Sequence, residues 1–252
     1  MVREIKIDGI IPARMESTRF PSKPLALIKG MPMIEHVYLN TLKSKYLNSI
    51  NIATDSNQIK SFCDHRSIPC IFTTHHDTGS DRVFEAASKL GSEYIINIQG
   101  DEPMVNHEVI DNICKYMRSD DFNNKFIITT HCDCTEDELK DPNNVKVVLS
   151  KTNNGLYYSR KDLFSGVDLT GKPSRFKQIG VYAYTLNTLK QFSNLGYSAL
   201  EDLEKIEIMR WIDNGLRTIS IHSKKLCYSV DTIEDLVYVE NLITHEYRNY
   251  EK

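Results

Sequence analysis

The sequence has no long apolar run and no strong excess of either charge. No segment is long enough to cross a bilayer, and residues 1–7 lack the apolar stretch of a secretory signal. The formal net charge of −3 argues against a broad nucleic-acid surface, which needs a basic excess. We therefore expect a cytoplasmic protein without nucleic-acid or membrane partners.

The residue patterns of several common sites are missing as well. The six cysteines are scattered along a large chain, which favours free thiols over a disulfide scaffold. The Cys132-x-Cys134 spacing has no second ligand pair, so zinc is a weak interpretation. No Gly-x4-Gly-Lys-Ser/Thr occurs, and no Gly-x-Gly-x-x-Gly follows the first apolar run. These absences argue against P-loop hydrolysis and nicotinamide chemistry.

Short Ile-rich runs alternate with helical patterns through the first half of the chain. Residues 5–11, 50–54, 70–73 and 94–99 are typical of buried strands, and residues 33–45, 59–66 and 82–90 have helical spacing. This alternation predicts an α/β fold with a mostly parallel central sheet flanked by helices. In such folds the site lies at the carboxyl ends of the strands.

The second half is less regular and predicts a smaller mixed sheet region. Strands are expected at residues 145–149, 156–159, 179–184 and 218–222. A capping-box pair, Ser198 and Glu201, predicts one long helix that Gly215 closes, and a last helix is expected from about 233 to 247. We expect one domain over residues 1–252, with a dimerisation or sugar-binding insertion at about 150–215.

The N-terminal loop carries three cations close together. Arg14, Arg19 and Lys23 follow the first predicted strand, and three prolines interrupt the segment. Such a loop could hold an anion such as a triphosphate, through charge-assisted hydrogen bonds. A surface turn whose charges face water is the equal alternative.

Carboxylates follow two other predicted elements. Asp101 and Glu102 end a buried strand, where an aspartate could bind Mg2+ together with phosphate oxygens. Asp231 precedes the last predicted helix and is a second candidate ligand. Each has a structural alternative, because Asp101 could cap a helix and Asp231 could form a capping box with Glu234.

Ordered motifs connect these segments. They are Pro-Ala-Arg-x4-Arg-x-Pro-x-Lys-Pro-Leu (12–25), Ala-Thr-Asp (53–55), Thr-Gly-Ser-Asp-Arg (78–82), Gln-Gly-Asp-Glu-Pro (99–103), Asp-Pro-Asn-x-Val-Lys (141–146), Leu-Tyr-Tyr-Ser-Arg (156–160), Ile-Gly-Val-Tyr-Ala-Tyr (179–184) and Val-Asp-Thr (230–232). Over residues 8–245 the chain resembles the CMP-Kdo synthetase family. Members of that family use CTP to activate 3-deoxy-manno-octulosonate (Kdo) for lipopolysaccharide or capsule synthesis.

The resemblance implies a reaction and a set of site residues. The anomeric hydroxyl of the sugar would attack the α-phosphorus of CTP and release pyrophosphate, with Mg2+ as cofactor. It implies catalytic roles for Arg14, Lys23, Asp101 and Asp231, with both aspartates as metal ligands. It implies nucleotide binding by Pro12, Ala13, Arg14, Lys23, Thr78, Ser80, Arg82 and Gln99, and sugar binding by Gln99, Arg160, Gln178, Tyr182 and Glu207. The family also commonly forms homodimers.

Departures from the family pattern concern the sugar side. Gln178 stands where the family usually has His, and Ile208 stands where it has Gln. After Arg160 the chain reads Lys-Asp-Leu-Phe instead of a proline-containing stretch. Losing a hydrogen-bonding group can discriminate strongly among substrates. The acceptor could therefore be Kdo, a close relative or another acidic sugar, and a catalytically inactive nucleotide-binding homologue is a further alternative.

Overall fold

The computed structural model describes residues 4–16, 20–167, 175–224 and 227–250, with side chains up to residue 243. Eleven strands occur in this part of the chain: β1 Ile7–Ala13, β2 Leu27–Ile28, β3 Met31–Pro32, β4 Ser49–Thr54, β5 Cys70–Phe72, β6 Tyr94–Ile98, β7 Ile127–Asp133, β8 Lys146–Leu149, β9 Gly155–Ser159, β10 Phe176–Thr185 and β11 Thr218–His222. The helices described are α1 Met33–Thr41, α2 Asn57–His65, α3 Gly79–Leu90, α4 His107–Met117, α5 Glu136–Lys140, α6 Leu186–Ser193, α7 Ala199–Glu204, α8 Ile208–Asp213 and α9 Ile233–Tyr250.

A nine-stranded sheet forms the centre of the fold, in the order β11-β7-β10-β6-β1-β4-β5, with β8 beside β10 and β9 beside β8. The β6, β1, β4 and β5 strands are parallel, and so are β11 and β7. The β10 strand runs antiparallel to β6, β7 and β8. The expected α/β fold with a mostly parallel sheet and a mixed second half is confirmed.

Helices cover both faces of this sheet. Side chains of α1, α2 and α4 pack in one apolar cluster, and those of α3, α6 and α8 pack in another. The β1 strand lies between the two clusters, which is why nearly all of its residues are buried. A third, smaller cluster holds α9 against β2. None of the helices in the described part of the chain is long and apolar enough to cross a membrane.

Several features of the second half differ from the sequence expectation, which also lacked the helices α5 and α6. The predicted long helix is two short ones, because Lys205 has a left-handed backbone (φ 57°) that ends α7 before α8 begins. The predictions also omitted β7, whose Thr, His and Cys residues obscure a strand that is buried at six of seven positions. Within residues 150–215, β10 belongs to the central sheet. A dimerisation role for that range stays a prediction.

Candidate active site

The carboxyl ends of neighbouring parallel strands bring the N-terminal loop and the Asp101 segment together. Arg14 follows β1 and Gln99 follows β6, and the two strands are paired in register. Their loops border an open cavity of ≈ 230 Å³. The described residues that line it are Pro12, Ala13, Arg14, Glu16, Lys23, Pro24, Thr78, Gly79, Arg82, Gln99, Gly100, Asp101, Glu207 and Asp231.

The Lys23 side chain links the two aspartates that the sequence singled out. Its Nζ atom donates to Asp101 Oδ2 at 2.7 Å and to Asp231 Oδ1 at 3.2 Å. Burial opposes the charge on Lys23, but both carboxylates outweigh burial, so the pKa of Lys23 is raised. Two carboxylates thus converge on one cation inside the cavity. Arg19, the third cation of this loop, lies outside the described residues.

Neither aspartate is the helix cap that the structural alternative required. The α4 helix is capped by Asn106, whose Oδ1 accepts the Glu108 amide at 2.8 Å. At α9 the Thr232 hydroxyl accepts the Asp235 amide at 3.2 Å. The carboxylate of Asp231 is directed instead to Lys23, and that of Asp101 likewise.

The first turn of α3 forms another wall of the cavity. Thr78 caps this helix by accepting the Asp81 amide, and Arg14 donates to the Asp77 carbonyl at 2.8 Å. The Arg82 guanidinium is buried and donates to Asp55 at 2.9 Å and to Thr73 at 2.7 Å. Arg82 therefore lines the cavity while its guanidinium is engaged in holding the strand ends β4 and β5.

Glu207 connects α8 to the same turn of α3. Its carboxylate accepts the amides of Gly79 at 3.0 Å and Ser80 at 3.2 Å, and the Ser80 hydroxyl at 2.6 Å. Free amides at a helix N-terminus attract negative charge, which explains this pairing. The α7 helix ends at Lys205, so the chain turns before α8 begins. This turn places Glu207 next to the first turn of α3.

The donor set limits which metal site is possible. Among the described residues, no three or more His, Cys, Asp or Glu side chains form a ready-made metal cage. The convergence of Asp101 and Asp231 supplies two carboxylates. Mg2+ is commonly held by one or two carboxylates, with waters and substrate phosphates completing its shell. The residues present therefore fit Mg2+ bound together with a nucleotide.

Comparisons with known proteins show the family to which this chain belongs. The profile of the family described as "Cytidylyltransferase" matches residues 9–224. A 3-deoxy-manno-octulosonate cytidylyltransferase of Pelobacter propionicus is 36% identical over 244 residues, covering 92% of this chain and 95% of that protein. The chain belongs to the 3-deoxy-manno-octulosonate cytidylyltransferase family. It is accordingly a nucleotidyltransferase.

Other members and solved structures extend the match. The corresponding enzyme of Francisella tularensis subsp. holarctica is 38% identical over 245 residues, covering 92% of this chain and 96% of that protein. The structure of CMP:2-keto-3-deoxy-manno-octonic acid synthetase complexed with CTP superposes with a TM-score of 0.86 at 31% identity, covering 96% of this chain and 99% of the other. A cytidylyltransferase from Leptospira borgpetersenii, 15% identical with a TM-score of 0.65 and 96% and 88% coverage, shares the fold.

The residues that were predicted to bind the sugar are only partly brought together in this cytidylyltransferase. Gln99 and Glu207 line the cavity, whereas Arg160, Gln178 and Tyr182 are not among its described lining residues. Gln178 donates to the Tyr182 hydroxyl at 2.8 Å. Arg160 donates to the Pro142 carbonyl at 3.1 Å. Their sugar-binding roles stay predictions.

Ile208, which stands where the family usually has Gln, lies in the apolar core. Ile208 is 3% exposed and packs in the apolar cluster of α3, α6 and α8. It therefore does not line the described cavity. Gln178, by contrast, makes a polar contact, because its side-chain amide donates to the Tyr182 hydroxyl.

Glu102 is a residue that the motif contained but the predicted site did not use. It is 5% exposed, and its Oε1 accepts the Gly180 amide at 2.9 Å. Burial and the charge of Asp101 raise the pKa of Glu102 to about 7. A Cβ at position 180 would lie 2.7 Å from Glu102 Oε1, so glycine is needed for this approach. A glycine within the alternating pattern of β10 was the available signal.

Proposed function

We propose that this chain transfers CMP from CTP to the anomeric hydroxyl of Kdo or a closely related acidic sugar, releasing pyrophosphate. The observation that carries the proposal is the contact of Lys23 with both Asp101 and Asp231 in the cavity that Arg14 also lines. Relatives named 3-deoxy-manno-octulosonate cytidylyltransferase support the choice of acceptor. The product would serve lipopolysaccharide or capsule synthesis.

The charges of the cavity support Mg2+ as cofactor. Of the described lining residues, Glu16, Asp101, Glu207 and Asp231 are acidic, and the basic ones are Arg14, Lys23 and Arg82. Arg82 is already paired with Asp55. The described lining thus offers no net positive charge to a triphosphate. Mg2+ held by Asp101 and Asp231 would supply that charge next to the phosphate oxygens.

The chain's own residues would bind and orient the two substrates. Arg14 and Lys23 would neutralise phosphate oxygens as negative charge develops on the leaving pyrophosphate. Thr78 and Arg82 line the wall that would receive the cytidine side, and Pro12 and Ala13 would contribute backbone next to it. Ser80, which is not among the described lining residues, follows Thr78 in the same turn and donates to Glu207. Gln99 and Glu207 could orient sugar hydroxyls, with Arg160, Gln178 and Tyr182 adding contacts to the acidic sugar. Holding the two reactants in line and neutralising charge on the phosphate oxygens would together supply most of the rate gain, without a covalent intermediate on the protein.

Substrate assays test this proposal. Pyrophosphate release is measured with CTP and Mg2+ over a panel of Kdo, amino-substituted octulosonates and nonulosonates. We expect turnover with Kdo or another octulosonate. Turnover only with a nonulosonate would favour the alternative acceptor, and CTP binding without turnover on any acid sugar would favour an inactive homologue.

The metal assignment has a separate test. Asp101→Asn should lower turnover by at least 100-fold and leave measurable CTP binding, because Arg14 and Lys23 remain. Asp137→Asn, an exposed acid away from the cavity, is the matched control. Full turnover of D101N would contradict the assignment of Asp101 as a metal ligand.

Assembly and location are part of the same proposal. A homodimer would bring two copies together through the second half of the chain, where exposed apolar side chains include Leu156, Phe164 and Val167. Sedimentation at several concentrations would detect it. A cytoplasmic location follows from the need for CTP, and cell fractionation would test it.

A further inference from the structure

The two aspartates of the cavity come from loops that are tied together through the backbone. The Val230 amide donates to the Asp101 carbonyl at 2.8 Å. Val230 itself is fully buried in the cluster that holds α9 against β2. The residue before Asp231 is therefore fixed both by apolar packing and by a bond to the other acid loop.

The residues after Asp231 are fixed by one carboxylate. Asp235 Oδ2 accepts the amide of Asp231 at 3.0 Å and the amide of Thr232 at 2.9 Å. In return the Thr232 hydroxyl accepts the Asp235 amide at 3.2 Å. An ordinary capping box satisfies the cap residue and the third helical residue. Here the same carboxylate also holds the amide of the residue before the cap, which is Asp231.

This extra bond determines the backbone path at Asp231. With Val230 held from one side and the Asp231 amide from the other, the Asp231 side chain leaves the backbone in the direction of Lys23. Asp235 itself is not among the described lining residues of the cavity. It can influence the site only through the backbone and through its charge.

We propose that Asp235 is a positioning residue that holds the Asp231 carboxylate in place for the divalent cation. This inference rests on the proposed function. Residues that orient metal ligands typically change metal affinity by 10–100-fold when they are removed. The expected effect falls on cation binding, and the affinity for the acidic sugar should change little.

Direct cation binding provides the main measurement. Mn2+ binding in the presence of CTP is followed by electron paramagnetic resonance, and the Mg2+ concentration for half-maximal pyrophosphate release is measured alongside it. We expect Asp235→Ala to weaken Mn2+ binding at least tenfold and to raise the half-maximal Mg2+ concentration similarly. Asp235→Asn should stay within about threefold of the wild type, because its amide oxygen can still accept the backbone bonds.

A second capping box in the chain provides the matched control. Thr135 and Glu138 form the same reciprocal pair at α5, with no bond to either acid loop. Thr135→Ala should lower the melting temperature without changing Mn2+ binding. If D235A binds Mn2+ as the wild type does, or if D235N is as weak as D235A, Asp235 is not a positioning residue.

Asp231→Asn separates this inference from the function on which it rests. Should D231N bind Mn2+ like the wild type, the metal site itself is assigned wrongly. If D231N loses the cation while D235A retains it, only the role of Asp235 fails. Should D235A not fold, Asp235→Glu moves the carboxylate by one methylene, and we expect it to weaken Mn2+ binding by severalfold. Unchanged binding by D235E in that case would overturn the inference.

Discussion

At the scale of single residues, the charged groups around the cavity differ in what holds them. Lys23 and Asp231 are each about 15% exposed and contact each other within the cavity. Arg82 is 2% exposed, and its guanidinium is engaged by Asp55 and Thr73. Arg14 is exposed, and among the described residues it donates to one backbone carbonyl. Arg14 can therefore move to a phosphate at small cost. Moving Arg82 would leave the Asp55 carboxylate without its guanidinium partner.

Removing the Arg82 charge should accordingly destabilise the fold. We expect Arg82→Met to lower the free energy of unfolding by about 3 kcal/mol, the low end for a broken buried pair because Asp55 is partly exposed. Urea denaturation measures it. Lys60→Met breaks the surface pair with Asp64, and its free energy of unfolding should stay close to that of the wild type. Equal losses in the two variants would contradict this view of Arg82.

His131 should make the protein sensitive to acid. Burial lowers the pKa of His131 to about 4, and it stacks edge-on against Phe176. Below pH 6.5, His131 binds a proton in the unfolded chain, whereas in the folded state it binds one only near pH 4. The free energy of unfolding therefore falls between pH 6.5 and 4, by about 3 kcal/mol for this residue, and levels off below pH 4.

A substitution isolates this contribution. His131→Asn removes the titrating ring, so its unfolding free energy should fall less than that of the wild type between pH 7.5 and 4.5. Any packing loss affects both pH values and cancels in the comparison. A fall in H131N as steep as in the wild type would rule out His131 as the cause.

At the scale of elements, the break between α7 and α8 lets Glu204 and Glu207 form hydrogen bonds with different parts of the fold. Glu204, the last residue of α7, accepts the Ser159 hydroxyl at 3.0 Å and the Arg160 amide at 3.2 Å. Glu207, just before α8, reaches the amides of α3. The turn between them therefore connects the end of β9 to the wall of the cavity that α3 forms. Lys205, in this turn, has a left-handed backbone, which is unfavourable for a residue with a Cβ atom.

Glycine at this turn should stabilise the protein. The Lys205 backbone is left-handed (φ 57°), a conformation that glycine adopts more easily than lysine. Lys205→Gly should therefore raise the free energy of unfolding by about 0.5–1 kcal/mol. In a chain of this size, each kcal/mol raises Tm by roughly 2–4 °C. Lys190→Gly, on the exposed side of α6, should lose about 1 kcal/mol because glycine is poor within a helix. Thermal and urea unfolding of both variants check the opposite signs, and a destabilised K205G would refute the conformational cost.

At the scale of the whole molecule, the site exists only in the folded chain. Lys23 and Asp231 are 208 residues apart in sequence, and Lys23 and Asp101 are 78 apart. A ligand that bridges these segments binds the folded state and not the unfolded one. Its binding free energy is then added to the free energy of unfolding.

Nucleotide and metal together should therefore raise the melting temperature. At about 100 times its Kd, CTP with Mg2+ adds roughly 2.7 kcal/mol, or about 5–10 °C for a chain of this size. Differential scanning calorimetry with CTP, with and without a chelator, measures the metal-dependent part. D231N should lose that part and retain some response to CTP. A shift in D231N as large and as metal-dependent as in the wild type would place the cation elsewhere.

Several features of this protein could be predicted from the sequence because they depend on local chemistry. Buried parallel strands are apolar at nearly every position, so β1, β4, β5 and β6 were predicted close to their observed bounds. Functional side chains follow such strands directly, which is why Arg14, Lys23 and Asp101 could be placed at one sheet edge before the structure. The ordered motifs added the family.

Other features could not be predicted because local chemistry allowed two outcomes. Asp231 and Thr232 are both good helix caps, and Val230 packing and its bond to Asp101 decided between them. The capping-box pair Ser198 and Glu201, with Gly215 as the end, predicted one helix, but the Glu207 contacts with α3 favour a break. The polar strand β7 is buried because β10 and β11 flank it.

The sequence by itself determined the fold class, the family and the set of charged residues, since strand burial and short motifs are encoded within a few consecutive positions. Tertiary structure alone decided which charges meet. It brought Asp231 to Lys23, buried Arg82 with Asp55 and turned Ile208 into the core. The physical reason is that a contact across 208 residues depends on the packing of every element between them.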